Sequence, residues 1–281
     1  MWGFTGILGK LIHLEPLHIV WSRMIIATVA LAIGMVLLKR SFKPASFSEL
    51  LQFSGVGAIV ALHWVTFYIS IDLSTASLGI LCLSTTTIHV AWLEPLLMKR
   101  AFSWTELLMA SLVIFGIYFV SDDFNAQEYE ALAYGLSSAF FAALFSVFNS
   151  KFSQTSAPST ISLYEFISGV IFLTCVLAYR GELTASLFEM TLSDFLWLLF
   201  LGILCTTFAF LAIIEILKHL GTFTVSLSIN LEPVYTILLA IVILNENQLL
   251  GYKFYLGSVL IVAIVLANAA IKRRQRKRNI L

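Results

Sequence analysis

Asn230, Glu232 and Pro233 stand near the middle of SLSINLEPVYTILLAIVIL, Ser226 to Leu244, a stretch long and apolar enough to cross a bilayer. An acidic residue at the centre of a spanning helix costs roughly 2.5–3.5 kcal/mol, so it is expected to face a bundle interior or a wet cavity. Pro233 lacks an N–H, which breaks the helical ladder and leaves a carbonyl free. The chemistry such a centre can do is binding. Glu232 can hold a cation, a proton or a substrate amine, or it can be a structural carboxylate bonded within the kink.

Other polar residues inside apolar runs are candidates for the same site. Arg23 lies about one and a half turns into the helix that Pro16 opens. It can snorkel to the membrane surface or face a cavity, where it would pair with Glu165 or grip a substrate carboxylate. His63, Trp64 and Tyr68 share one apolar run, with Trp64 and Tyr68 four apart on one face. With Trp21, Tyr164 and Tyr235 they can line a cavity, or serve as packing and an interfacial belt. His63 is too deep for the interface and is either a satisfied core histidine or a protonation switch. Thr86 sits in a Ser84–Thr87 hydroxyl run, which can bond back to carbonyls or face a polar cavity. His89 and Glu94 are five apart and share no face; Glu94, like Glu215, is expected to pair with a nearby lysine.

Positioning these residues needs membrane-spanning helices. The 281-residue chain is 59% hydrophobic and only 12% charged, where soluble proteins carry about 25% charged residues. The apolar runs predict an all-α polytopic membrane protein of about ten spans: Met1–Ile12, Leu17–Leu38, Leu50–Ile71, Ser74–Met98, Trp104–Val120, Ala131–Ser150, Thr160–Tyr179, Phe195–Leu217, Thr222–Leu244 and Leu249–Ile271. The first run is shorter than a full span, which suggests a truncated first helix. Met1–Ile12 also lacks the basic n-region and small-residue cleavage site of a signal peptide, so no cleavable one is expected. Cys82, Cys175 and Cys205 lie inside apolar runs and are expected to be buried packing residues.

Threading the spans back from the basic tail KRRQRKRN places Lys39, Arg40, Lys43, Lys99, Arg100, Lys151 and Lys218 on the tail's side. Arg180, Lys253 and the SDDFNAQEYE loop fall on the other side. The positive-inside rule then predicts a multi-pass protein of the cytoplasmic membrane with both termini cytoplasmic. The tail reads as a topology anchor or an anionic-lipid contact.

The two halves echo each other. Arg23 follows Pro16 by seven residues, as Glu165 follows Pro158. The run LSTTTIHVAWLEPLLMKR lines up with INLEPVYTILLAIVILNEN, putting Thr86 opposite Pro233 and Lys99 opposite Glu246. With an odd number of spans each, the halves must be inverted, as in many secondary transporters with a mid-membrane site. Residues 1–121 and 130–271 form the repeats, and 272–281 the basic tail.

Trp2-Gly3 with Lys10, Arg23, and the stretch LEPVYTILLAIVILNENQLLGYKFYLGSVLIVAIV resemble the EamA family of the drug/metabolite transporter superfamily. The resemblance implies ten helices in two five-helix units, both ends cytoplasmic, and a central cavity open to one side at a time. It implies secondary transport of a small metabolite, commonly export, without ATP hydrolysis. Lys99-Arg100 departs from the Glu that Glu246 provides in the second half.

The resulting expectation is an exporter working by alternating access. Its substrate site would use Arg23, His63, Trp64, Tyr68, Thr86, Tyr164, Glu165, Asn230, Glu232 and Tyr235, and a proton or another ion could be coupled. A passive facilitator or channel is the alternative, and a membrane-embedded enzyme a weaker one. His63, His89, Glu165 and Glu232 scatter over several helices, and no nucleotide, protease or prenyl-diphosphate motif occurs. The protein is therefore not expected to be an enzyme. No metal or other cofactor and no nucleic acid is expected as a partner.

Overall fold

The computed structural model describes residues 3–44, 46–99, 101–105, 108, 111–112, 124–220, 222, 225, 229 and 232–278. Every regular element described is helical. α1 is Gly3–Leu11, α2 Pro16–Leu37, α3 Phe47–Leu73, α4 Ala76–Leu83, α5 Thr86–Met98, α6 Ala126–Phe152 and α7 Pro158–Arg180. α8, Leu192–Phe200, continues through a π-helical stretch, Leu201–Phe208, into α9, Ala209–His219. α10 is Glu232–Leu244 and α11 is Tyr252–Arg278.

Among the described residues, six stretches are long and apolar enough to span a membrane: α2, α3, α4–α5, α6, α7 and α8–α9. α10 and the first half of α11 are shorter apolar helices. Val29, Ile33, Ile171, Val242 and Val259 are all more than half exposed, an apolar exterior suited to lipid rather than water. The expected span Trp104–Val120 lies mostly outside the described residues. So do Asn230 and Leu231, and the predicted kink before Pro233 with them.

The expected span Ser74–Met98 is present as Ala76–Met98, with a turn between α4 and α5 where Ser84 and Thr85 direct their hydroxyls back onto the Leu81 and Cys82 carbonyls. Two expectations are corrected. The second half of the SDDFNAQEYE segment is helix, not loop: Asn125 and Glu128 form a reciprocal capping box that starts α6. Cys82 and Cys205 are buried, but Cys175 is exposed on the outer face of α7.

Cross-chain contacts sort the loops into two ends. At one end the His13 amide donates to Asp194, Gln127 donates to the Leu73 carbonyl, and the Glu246 carboxylate reaches the start of α4. At the other, Thr160 and Tyr164 donate to the carbonyls of Ser41 and Phe42, and Ser156 donates to Glu49. α11 begins at the first, far end and runs toward the second, tail end. Lys39, Arg40, Lys43, Lys151 and Lys218 cluster at the tail end. Lys10 departs from that pattern: it closes α1 at the far end and reaches the Asp72 carbonyl at 3.4 Å.

The backbone repeats itself across these ends. α2 and α7 both open on a proline, and each is followed by a left-handed residue, Lys39 (φ 51°) or Gly181 (φ 72°). α5 and α10 each end on a left-handed residue, Lys99 or Asn245. Ser46 caps α3 through the Glu49 amide just as Thr191 caps α8 through the Asp194 amide. These matches place Thr86 opposite Glu232 and Lys99 opposite Asn245, one residue off the register expected from sequence.

Candidate solute site between the two halves

Arg23 is 1% exposed although it sits in a membrane-depth helix, so it does not snorkel. Its Nε donates to the Thr206 hydroxyl at 2.6 Å, and that hydroxyl donates on to the Leu201 carbonyl at 2.8 Å. The latter bond spans five residues, and only the π-helical stretch brings the two groups together. A π turn amounts to one inserted residue. Consistently, α8–α9 runs 28 residues from its cap where α3 runs 27. Close contact between α2 and this stretch depends on Gly202: a Cβ there would lie 2.6 Å from Ile26 and 3.2 Å from the Arg23 carbonyl.

The guanidinium also lies flat against Trp64, its Cζ 3.9 Å from the ring centre, and its Nη1 reaches the Tyr68 hydroxyl at 3.5 Å. Tyr68 in turn donates to the Thr5 carbonyl of α1 at 3.4 Å. Stacking on an aromatic face suits arginine's planar, weakly hydrated cation. The expected Arg23–Glu165 pair does not form: Arg23 bonds across to α3 and the π stretch, while Glu165 bonds to Asn149 of α6.

Arg23 and Trp64 form one wall of a cavity at mid-depth between the halves. Glu232, at the start of α10, and Thr86, at the start of α5, face the same space, as does His63. The remaining walls are apolar, with Phe67, Phe145 and Phe210 the largest contributors. The lining continues along Ile213 to Leu217, near the tail-end limit of α9. The cavity volume is about 110 Å³, below the roughly 300 Å³ at which small-molecule sites begin.

Glu232 is 6% exposed, and among the described residues neither it nor Arg23 has an ion-pair partner. His63 is held by α6: Nδ1 donates to the Ser138 carbonyl at 2.9 Å while the Ser138 hydroxyl donates to the His63 carbonyl. That reciprocal pair orients the ring and leaves Nε2 as the atom available to the cavity side.

Of the residues singled out from sequence, Arg23, His63, Trp64, Thr86 and Glu232 come together around this cavity, with Tyr68 directly behind Arg23. Tyr164 does not join them, because its hydroxyl bonds to the Phe42 carbonyl at the tail end. Tyr235 is 45% exposed on the outer face of α10. Trp21 donates to the Thr174 hydroxyl near the far end. Glu165 is buried elsewhere, and Asn230 lies outside the described residues. Glu215 bonds to His219, one turn on, rather than to Lys218. Sequence reasoning missed Thr206, although it stands in the hydroxyl pair of GILCTTFAF. The signal that singled out Ser84–Thr87 applies equally there.

Comparison with known proteins agrees with this architecture. A solved crystal structure superposes with a TM-score of 0.70 over 96% of this chain and 92% of its own, at 12% identity, a likeness of fold. An uncharacterized transporter of Archaeoglobus fulgidus is 24% identical over 266 residues, covering 92% of this chain and 89% of that protein. The uncharacterized transporter YdfC of Bacillus subtilis is 24% identical over 269 residues, covering 91% and 84%. The EamA-like transporter family matches residues 1–122 and 130–269, one match on each half. With two inverted halves enclosing a charged, aromatic cavity and a family match spanning both, the chain belongs to the EamA-like transporter family, and it is a multi-pass membrane protein.

Proposed function

We propose that the protein is a secondary transporter that exports a small organic solute by alternating access, with the tail end in the cytoplasm. The observation that carries this reading is a basic and an acidic side chain, Arg23 and Glu232, facing one apolar cavity between the two halves. Burying either charge alone is costly, and neither has a described ion-pair partner. A solute that brings a carboxylate or phosphate to Arg23 and a cationic or donor group to Glu232 would satisfy both. The surrounding Phe67, Phe145 and Phe210 would take its apolar part.

The contacts at the far end fit a carrier resting with that end shut. Glu246 accepts from the Ala76 and Ser77 amides and the Ser77 hydroxyl at the start of α4. His13 is tied to Asp194, and Trp21 packs edge-on against Phe188. The cavity lining, by contrast, runs toward the tail end along Ile213 and Leu217.

The test is a solute panel scored by thermal stabilisation of the purified protein, since a ligand of the folded state raises apparent stability by mass action. A hit abolished in both Arg23→Gln and Glu232→Gln locates the site. Stabilisation unchanged in both variants rejects it. Flux of the hit into vesicles with and without an imposed pH gradient then separates a coupled exporter from a passive facilitator.

A further inference from the structure

Glu165 lines no part of the solute cavity, yet it is 0% exposed. It sits seven residues into α7 from Pro158, about 10 Å from the tail-end start of that helix. Its Oε2 accepts from the Asn149 side-chain Nδ2 at 3.3 Å. Its Oε1 and the Asn149 Oδ1 are both buried and both without a hydrogen-bond partner. The Ser162 hydroxyl, one turn earlier on α7, is likewise buried and unpartnered. None of the described ion pairs includes Glu165.

Among the described residues, the surroundings offer no other charge. α3 meets this turn with Gly57, where a Cβ would lie 2.3 Å from the Glu165 carbonyl. α2 brings Met24 against Gly169, and α9 brings Phe210 against Phe166. α6 supplies Asn149. None of these groups titrates. The carboxyl is thus sealed into a dry seam where the first half, through α3, packs on the second, through α6 and α7.

We propose that Glu165 and Asn149 form a proton-binding site on this seam, distinct from the solute cavity and loaded in the conformation described. A carboxylic acid and a primary amide pair through two antiparallel bonds: amide N–H to carboxyl oxygen, and carboxyl O–H to amide oxygen. The first is present. The two oxygens left without a donor are the two ends of the second, so one proton on Oε1 completes the pair and satisfies both. A metal cation fits poorly, because hard cations take six or more oxygen ligands and only three unpartnered oxygens are at hand.

In the carrier proposed above, this proton is the coupled ion. Its loss leaves a bare carboxylate between α3 and the α6–α7 pair, which only entering water can solvate. Discharge therefore goes with parting of the seam, and recharging with its closure. Arg23 holds the equivalent place in the first half, so the two halves carry a fixed cation and a dischargeable acid at matched positions.

The experiment is an infrared pH titration of the lipid-reconstituted protein without any solute, so its outcome is independent of the carrier reading. The expected result is a protonated-carboxyl C=O band at neutral pH that is absent in Glu165→Gln and shifted in Asn149→Leu, with the Glu232→Gln variant separating any second band. Glu165→Gln can donate its own amide to Asn149 Oδ1, so it keeps both bonds. Its thermal stability should stay flat toward alkaline pH, where that of the wild type falls. If Glu165→Gln does not fold, the Asn149→Leu shift decides. A band untouched by both variants, or no such band at neutral pH, overturns the proposal. So does a rise in melting temperature when sodium replaces choline that is seen in the wild type and lost in Glu165→Gln, which would make the occupant a metal ion.

Discussion

A guanidinium enclosed by Trp64, Tyr68 and Thr206 is held in one pose before any solute arrives. Preorganisation of that kind depends on shape as well as charge, because an ammonium has neither the flat face for Trp64 nor the fork for two partners. Arg23→Lys is therefore expected to weaken solute binding at least about tenfold, roughly 1.4 kcal/mol, although the charge is retained. The concentration dependence of stabilisation by a panel hit measures this; full affinity in Arg23→Lys would show that charge alone suffices. Thr206→Val removes the acceptor of the Arg23 Nε, and a hydrogen bond to a charged group is worth about 1.5–3 kcal/mol. The expected signature is a lower unfolding temperature together with weaker solute binding. Loss of stability with unchanged binding would assign Thr206 to the scaffold.

Among the elements, the α3–α7 crossing leaves no room for side chains. Gly57→Ala forces a methyl group to within 2.3 Å of a backbone carbonyl, so helices must shift, and overpacking of this sort costs about 1–3 kcal/mol. Thermal unfolding in detergent checks it. At the far end, the carboxylate of Glu246 caps α4 from across the bundle. Loss of a helix cap costs about 0.5–2 kcal/mol, which here weakens the closed far end rather than one helix. In an Ile80→Cys protein whose native cysteines Cys82, Cys175 and Cys205 are replaced, Glu246→Ala should speed labelling from the far side by up to about tenfold. Equal labelling rates with and without Glu246→Ala would rule out a latch.

Much of this scale was legible in the sequence, and the misses have physical causes. Apolar length gave the six long spans, because lipid thickness sets it. It could not show the break at Ser84–Thr85, since those hydroxyls satisfy carbonyls in either a continuous or an interrupted helix. The inserted residue in Leu201–Phe208 was invisible for a similar reason: an apolar run carries no register. The expected alignment of the halves was off by one, which hid the match of Thr86 with Glu232. The charged members of the cavity were legible because a buried charge at membrane depth has few places to go. Tyr164 and Tyr235 misled because a tyrosine is equally at home at an interface, in packing or in a pocket.

For the molecule as a whole, the inverted halves follow from paired proline starts, paired left-handed ends and paired caps at opposite ends of the bundle. The basic residues gathered at the tail end predict which face meets the cytoplasm. A fluorescent protein fused after Leu281 should fluoresce, and alkaline phosphatase fused there should be inactive; the reverse pattern would overturn the proposed orientation and with it the proposed direction of transport.

Arg23 also has an electrical consequence. Its charge is permanent, it rides on α2, and a membrane potential acts on any charge whose depth changes. Carrying one elementary charge through the whole field is worth about 2.3 kcal/mol per 100 mV, and a rocking motion that shifts Arg23 by a fraction of the thickness collects that fraction. The empty protein is thus a weak voltmeter: polarising the vesicle should favour one orientation over the other before any solute is added, and Arg23→Gln should remove that bias.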